Sequence, residues 1–220
     1  MFDEDGYAII AGVLSADQCQ AVAQRLSKSE RLRAGTRNLL HDIVCVKVAT
    51  DLRSSAAIAE QLGVAAVAVQ CTLFDKSAER NWLVAWHQDL SIPVGERIAH
   101  PECTGWSEKE GTLFVQPPAS ILESLVAVRV HLDDCEAGAG PLRVVPGSHR
   151  QGRLSNCEAR RRREANGEVP CLAKRGDALL MRPLLLHASS KATVPSRRRV
   201  LHFLFGPAEL PHGLRWANAV

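Results

Sequence analysis

The stretch WLVAWHQDLS, residues 82–91, places His87, Gln88 and Asp89 directly after an apolar run that is typical of a buried β-strand. Residues two positions apart on a strand face the same side, so the sequence predicts that His87 and Asp89 project together. Trp86 and Gln88 would then point the other way. An imidazole and a carboxylate on one face supply part of a metal site, but such a pair also arises by chance and needs a further ligand.

A third ligand stands at the end of another apolar run, LLMRPLLLH, where His187 is an unusual choice for packing alone. Two histidines and one carboxylate form the facial triad of non-haem Fe(II) oxygenases, which leaves coordination positions open. The later run SRRRVLHFLF, read as a strand, turns Arg198, Val200 and His202 to one face. The Arg198 guanidinium could then hold a carboxylate bidentately near the metal.

The remaining pattern predicts helices first and strands afterwards. Ser15 and Gln18 form a capping-box pattern before a predicted helix over 16–33, and a second helix is predicted over 51–62, ended by Gly63. Short runs rich in Val, Leu and Phe predict strands over 64–74, 82–86, 125–132, 178–181 and 200–205. This order favours an α+β domain, mainly β, whose strands form a sandwich or barrel.

The length of the chain is suited to one domain. A chain of 220 residues and 24.0 kDa can bury roughly 70% of its unfolded surface, so residues 1–220 are predicted to share a single core. The turn-rich segment 92–118 has weak periodicity. A loop of that length in a compact domain is more often a functional cover than filler, which makes this segment a candidate lid.

Composition excludes several classes of protein. A formal charge of +3 does not by itself indicate a polyanionic partner, and the seven scattered cysteines contain no C-x-x-C pair, which favours a reducing compartment. The acidic start MFDEDGYAII differs from a signal peptide, and no apolar run approaches the roughly 20 residues that span a bilayer. We expect a cytoplasmic protein with no membrane partner.

The motifs WHQD, GPLRVVPGSHR, HASS and RRRVLHF, preceded by DGYAIIAGVLS, occur in an order that resembles the phytanoyl-CoA dioxygenase family of Fe(II)- and 2-oxoglutarate-dependent oxygenases. The resemblance covers about residues 6–205. It implies a double-stranded β-helix, a cupin-like jelly roll, with N-terminal flanking helices. It assigns Fe(II) to His87, Asp89 and His187, and the distal carboxylate of 2-oxoglutarate to Arg198 with Ser189.

Two further residues resemble a pattern of the ectoine-hydroxylase branch of this family. Gln70 and Lys76 match its Q-x5-K spacing, in which the glutamine faces the substrate and the lysine helps to bind 2-oxoglutarate. The resemblance implies that O2 and 2-oxoglutarate are converted to succinate and CO2 while a C–H bond is hydroxylated, with ascorbate as an in-vitro reductant. The presence of Asp89 favours hydroxylation or desaturation over halogenation.

The substrate side of the site is less clearly marked. Arg129 and His131 share one face of the run LVAVRVHLDD, and we expect Arg129 to line the cavity, while His131 could face either the cavity or solvent. His202 is either a substrate contact or a core histidine. These polar groups indicate a small polar or anionic substrate. The string GPLRVVPGSH, residues 140–149, is predicted to be scaffold, and His149 is not a predicted ligand.

Three other functions stay open. A zinc hydrolase could use the same three ligands but would not need Arg198 at its spacing. A non-catalytic module of this fold would usually have lost a ligand or the arginine. A nucleic-acid dealkylase is suggested by Arg160–Arg163, but this run has no interleaved aromatic residues and is more typical of a solvated face, so no nucleic-acid partner is expected.

Overall fold

The computed structural model describes residues 2–27, 35–63 and 65–220. The helices are α1 (Phe2–Asp5), α2 (Ala16–Ser27), α3 (Ile43–Ser54), α4 (Ala56–Leu62), α5 (Ala119–Glu123) and α6 (Asn156–Asn166). The strands are β1 (Tyr7–Ile10), β2 (Gly35–Thr36), β3 (Ala66–Lys76), β4 (Val84–His87), β5 (Ile92–Val94), β6 (Thr104–Lys109), β7 (Thr112–Gln116), β8 (Val126–His131), β9 (Leu142–Val144), β10 (Val169–Cys171), β11 (Ala178–Met181), β12 (His187–Ser189) and β13 (Arg198–Pro207).

The strands form three sheets in which neighbours pair antiparallel. The large sheet has the order β1-β11-β8-β13-β3-β2, and the smaller one has the order β10-β9-β12-β4. A third sheet, β5-β7-β6, follows β4 in the chain. Strands far apart in sequence lie side by side, as β13 does between β8 and β3. This arrangement confirms the predicted jelly roll with N-terminal helices.

The large sheet buries both of its faces. On one face Val128, Val130 and Phe203 pack against α2 and α3 in a cluster that includes Cys19 and Leu52. On the other face Leu179 and Leu204 share a cluster with Leu142 and Val144 of the smaller sheet. Alternate side chains of β8 and β13 therefore point either to the helices or between the sheets. This alternation places Arg129 and His202 between the sheets, in the direction of the candidate site.

The helices differ in extent from the sequence prediction. The helix predicted over 16–33 runs from Ala16 to Ser27, and residues 28–34 lie outside the described residues. Its capping box forms, since Gln18 N donates to Ser15 Oγ and Ser15 N donates to Gln18 Oε1. The helix predicted over 51–62 is wrong at its start. Two helices meet at Ser55, whose extended backbone ends α3 and begins α4.

The segment 92–118, predicted to be a loop, contains β5, β6 and β7. Its short strands are interrupted by turns and a register shift between Thr104 and Ser107, which explains why no period was visible in the sequence. Gly111 and Glu110, both with positive φ, form the tight turn between β6 and β7. Residues 104–116 therefore form a β-hairpin, and the function of the segment 92–118 as a cover stays a prediction.

Among the helices of the described residues, none combines the length and the apolar character needed to span a bilayer.

Candidate active site

Two histidines from distant parts of the chain meet on the smaller sheet. His87 ends β4 and His187 begins β12, and the two residues are Cα partners in the antiparallel pairing of these strands. Their ring centroids lie 4.2 Å apart. The sheet thus brings together two imidazoles that are 100 positions apart in the sequence.

Asp89 completes the group, although not in the predicted way. The strand ends at His87, so Asp89 lies beyond it, where its backbone N–H donates to Pro183 O at 2.9 Å. Its carboxylate nevertheless lies 3.7 Å from His87 Nε2 and 3.8 Å from His187 Nε2. One ligand atom from each of these three residues falls within 4.8 Å of the other two, a spacing able to hold a metal ion. The expected shared strand face is therefore wrong, but the expected proximity is observed.

Gln88, between His87 and Asp89, anchors the segment that follows β4. Its Nε2 donates to Leu184 O at 2.6 Å and to Gly152 O at 2.8 Å, while its Oε1 accepts from Leu154 N at 2.8 Å. The sequence predicted that Gln88 points away from His87 and Asp89, but it gave no sign of these three bonds. They fix the backbone from which Asp89 projects.

Hydrogen bonds also set the tautomers of the two histidines. The Nδ1 atoms of His87 and His187 each lie 2.8 Å from the carbonyl oxygen two residues earlier, of Ala85 and Leu185. A carbonyl only accepts, so Nδ1 carries the proton and Nε2 keeps its lone pair for a metal. Burial lowers the pKa of His187 to about 4, against the opposing charge of Asp89, so its imidazole is neutral at pH 7. These features suit a divalent cation.

Burial alone would raise the pKa of the Asp89 carboxyl group. Electrostatic interactions with His187, His202, His87 and Arg129 outweigh that effect and hold the pKa below its usual value. The group is therefore an anion at neutral pH, as a metal ligand must be.

A second group, next to the triad, consists of buried cations. Lys76 is 2% exposed and Arg198 is 4% exposed, and both donate to the hydroxyl group of Ser189, at 3.1 Å and 3.3 Å. Lys76 also donates to Ser190 O at 2.6 Å. Burial, and then the charge of Arg198, lower the pKa of Lys76 to about 8. Within the described part of the chain neither cation has a carboxylate partner, so the group is prepared for an anion.

The residues beside Arg198 point the other way. Arg197 and Arg80 both pair with the buried Asp75, at 3.1 Å and 2.6 Å. Arg199 pairs with Asp133 at 2.6 Å. The carboxylates on this side of β13 are therefore already neutralised, whereas Arg198 is not.

Arg129 and His202 are neighbours across β8 and β13 and line the same cavity as the triad. Arg129 Nη1 donates to His202 Nδ1 at 2.9 Å, and the guanidinium carbon lies 5.4 Å from the Phe74 ring centroid. Burial, and then the charge of Arg129, lower the pKa of His202 to about 3. Gln70 also lines the cavity. The structure thus places all three predicted substrate contacts at its wall.

The cavity itself measures about 450 Å³. Sequence reasoning missed part of its lining, namely Arg37, Thr72, Lys109, Phe114 and Gln116. Three of these belong to the hairpin of β6 and β7, and Arg37 comes from the N-terminal half. Thr72 lies two positions after Gln70 on β3, so strand alternation could have found it. The other four residues lie in segments without a visible period, and the sequence gives no signal of which side chains turn inward there.

Two other histidines lie elsewhere. His131 is buried, and burial together with Arg129 lowers its pKa to about 3, but it does not line the cavity. His149 lies 3.2 Å from Asp3 O through its Nε2 and packs against Gly6. It is no part of the triad, and Gly140 and Gly147 have the positive φ of turn residues, in keeping with a scaffold.

The family model of phytanoyl-CoA dioxygenase matches residues 2–200. The chain belongs to the phytanoyl-CoA dioxygenase family. This confirms the resemblance of its motifs, and as a member of that family the chain is an oxygenase. No curated protein sequence matches it significantly.

Solved structures share the fold of this family member. The epimerase SnoN from nogalamycin biosynthesis, described as non-haem and α-ketoglutarate-dependent, is 18% identical with a TM-score of 0.69, over 94% of this chain and 78% of SnoN. EctD from S. alaskensis with 2-oxoglutarate and 5-hydroxyectoine is 19% identical with a TM-score of 0.69, over 94% and 74%. HygX from Streptomyces hygroscopicus with iron bound is 19% identical with a TM-score of 0.64, over 94% and 84%. At these identities the likeness establishes the jelly-roll fold.

Proposed function

We propose that this oxygenase is an Fe(II)- and 2-oxoglutarate-dependent dioxygenase that hydroxylates an unactivated C–H bond of a small polar or anionic molecule. One observation carries the proposal. The His87, Asp89 and His187 group lines the same cavity as the buried, uncompensated Arg198 and its partner Ser189, to which Lys76 also donates, so that a metal ion and an organic anion could share this cavity.

His87, Asp89 and His187 would hold Fe(II), since two neutral imidazoles and a carboxylate are the donor set of non-haem iron oxygenases. The bound iron and 2-oxoglutarate supply the oxidation, in which O2 and 2-oxoglutarate give succinate, CO2 and a hydroxylated product. The chain itself contributes orientation. The carbonyl groups of Ala85 and Leu185 keep both Nε2 atoms unprotonated, and Gln88 fixes the backbone segment that carries Asp89.

Arg198, Ser189 and Lys76 would bind the distal carboxylate of 2-oxoglutarate. The guanidinium and the ammonium groups converge on the Ser189 hydroxyl, which itself donates to Gly140 O at 3.1 Å. An anion placed there gains charge-assisted hydrogen bonds from groups that are already desolvated. The positive charges at this end of the cavity therefore select a dicarboxylate that reaches from the metal to Arg198.

The substrate would meet Gln70, Arg129 and His202 on the sheet side of the cavity and the β6–β7 hairpin on the other side. We propose that the segment 92–118 acts as the lid. Lys109, Phe114 and Gln116 line the cavity, and the tip of the hairpin is held where Asn38 Nδ2 donates to Glu110 O at 2.9 Å. A cover of this kind excludes bulk water from the reaction.

The test is succinate formation from 2-oxoglutarate by the purified protein with Fe(II), ascorbate and O2, across a panel of small polar and anionic molecules. We expect succinate to form and to increase when a substrate is present. A zinc hydrolase would form no succinate, and neither would a non-catalytic module of this fold. A dealkylase of the same chemistry would respond to methylated oligonucleotides rather than to small molecules.

A further inference from the structure

The cavity of the proposed active site holds more positive charge than the proposed reaction requires. Among the described residues that line it, four are basic and one is acidic: Arg37, Lys109, Arg129 and Arg198 against Asp89. Arg37 is paired with Glu110 at 3.1 Å. Arg129 and Arg198 have no such partner, because the nearby buried carboxylates of Asp75 and Asp133 already pair with other arginines.

Binding of the proposed cofactors leaves an excess of positive charge in the cavity. Fe(II) and Asp89 together carry one positive charge, and 2-oxoglutarate brings two negative charges. The positive charges of Arg198 and Lys76, added to that of the metal site, already exceed those two. Arg129 is therefore left without a counterion after both cofactors are bound, at a site where an unpaired charge is costly.

The surroundings of Arg129 hold its guanidinium in place without neutralising it. The residue is 7% exposed, and its Nη1 is held by His202. Its Nε has no hydrogen-bond partner in the described part of the chain. Because an arginine only donates, His202 Nδ1 accepts, and the proton of the neutral ring lies on Nε2, where it can serve as a second donor. A buried cation on the wall of the cavity, with one donor that has no partner, indicates a ligand that supplies an acceptor.

We infer that Arg129, held by His202, binds a carboxylate group of the substrate, so that the substrate is a small carboxylic acid. The inference rests on the proposed function and adds the class of molecule that is hydroxylated. The cavity of about 450 Å³ has to hold 2-oxoglutarate as well. It therefore lies at the small end of ligand sites and leaves room for a compact acid rather than a long acyl chain.

A ligand-binding role and a structural role of Arg129 predict opposite effects of its replacement on the Tm. If Arg129 is a charge held ready for an absent anion, replacing it with glutamine relieves a cost and raises the Tm of the ligand-free protein. If Arg129 instead stabilises the fold through His202 and Phe74, the same replacement lowers the Tm. Arg160, exposed on α6, provides the control, and Arg160→Gln should leave the Tm unchanged.

The binding experiment uses butanoate and its neutral counterpart butanamide, titrated calorimetrically into the anaerobic protein saturated with Fe(II) and 2-oxoglutarate. We expect butanoate to bind at least about tenfold more tightly, as a charged hydrogen bond allows. Arg129→Gln should remove that difference and leave the Kd of 2-oxoglutarate within about threefold. Arg129→Lys, which keeps the charge, should retain part of the preference and gives a second test if the glutamine variant does not fold.

Besides a lowered Tm of Arg129→Gln, three outcomes of the binding experiment would overturn the inference. Equal binding of butanoate and butanamide by the unmodified protein would remove the anion subsite. A loss of 2-oxoglutarate affinity in Arg129→Gln, with the butanoate preference kept, would place Arg129 in the cosubstrate site. Failure of the unmodified protein to bind Fe(II) or 2-oxoglutarate at all would overturn the proposed function itself, and the inference with it.

Discussion

His87 and His187 face each other across two antiparallel strands, and each ring is held by the carbonyl group two residues before it. The two Nε2 atoms therefore point to the same carboxylate before any metal arrives. A site that is arranged in advance loses little conformational entropy on binding a metal. The affinity for the metal should therefore depend on the three ligand side chains more than on the stability of the fold.

Replacing either His87 or Asp89 with alanine should abolish Fe(II) binding while the protein stays folded, because both side chains are partly exposed at the cavity and leave no void in a core. We expect a loss of affinity beyond the about 10- to 100-fold effect of removing an outer-shell partner. Anaerobic metal titration and circular dichroism measure the two properties. His212→Ala, an exposed histidine outside the triad, is the control. Unchanged iron affinity in both variants would refute the assignment.

The Arg198→Ala variant should need far more 2-oxoglutarate, since the loss of a buried charge-assisted pair costs roughly 2 to 5 kcal/mol. Iron binding should survive. Arg197→Ala and Arg199→Ala should leave 2-oxoglutarate affinity unchanged and instead lower the free energy of unfolding, because each leaves Asp75 or Asp133 with one partner fewer. Calorimetric binding and urea denaturation of the three variants check this. If a neighbour rather than Arg198 controls 2-oxoglutarate binding, the assignment of this strand face is wrong.

The positions of these arginines were predictable because strand alternation is a local rule. Most of the run SRRRVLHFLF lies in β13, which begins at Arg198, and the period of two separates Arg198 and His202 from Arg197 and Arg199. The same rule failed at Asp89, since the strand ends one residue after Trp86 and nothing local marks that end. His87 and Asp89 were predicted to lie on one strand. Asp89 instead follows the end of the strand, and the two side chains still lie close together.

Contacts between distant segments could not be predicted from local patterns. The hydrogen bonds from Arg37 and Asn38 to Glu110, and the three hydrogen bonds of Gln88, join residues between 64 and 96 positions apart. The break of the second helix at Ser55 was also missed, because a serine inside an apolar helical pattern is compatible with either a continuous helix or a cap.

Lys76 should give the ligand-free protein a distinctive pH dependence. Its pKa is lowered from 10.5 to about 8 in the folded state, so between these values the unfolded chain binds more protons. The free energy of unfolding should therefore rise as the pH increases from about 8 towards 10.5. Lys76→Met should flatten this rise and be more stable than the unmodified protein at pH 7. Urea denaturation from pH 7 to 10 measures both.

Binding of 2-oxoglutarate should follow pH in the opposite direction, because the anion needs the protonated ammonium group. Its Kd should increase above pH 8, by up to about tenfold per pH unit, and Lys76→Met should lose this dependence. Lys47→Met, which removes an exposed lysine paired with Asp51 on α3, is the matched control and should alter neither profile. Identical pH profiles for Lys76→Met and the unmodified protein would show that Lys76 does not bind the cosubstrate.

The hydrogen bonds between Arg37 and Glu110 at the tip of the β6–β7 hairpin should control how often the hairpin opens the cavity. Glu110 accepts from the backbone N–H and the guanidinium of Arg37, each at 3.1 Å. Such a partly exposed pair is worth about 0.2 to 1 kcal/mol, so Glu110→Gln should accelerate amide hydrogen exchange in β6 and β7 by up to about fivefold. Glu108→Gln, on the same hairpin, should not. Equal exchange rates in the two variants would mean that the contacts between Arg37 and Glu110 do not hold the proposed lid.

The arginine run of α6 distinguishes the small-molecule hydroxylase from the dealkylase alternative. Trp86 contacts this run through Arg163. The guanidinium groups of Arg143 and Arg163 lie 5.4 Å and 5.6 Å from its ring, so Trp86 is not free to stack on a base. Arg160→Ala should therefore leave Fe(II) binding, 2-oxoglutarate binding and succinate formation unchanged. A salt-sensitive loss of oligonucleotide binding in Arg160→Ala, measured by fluorescence anisotropy, would favour the dealkylase, because it would show that phosphates contact this helix.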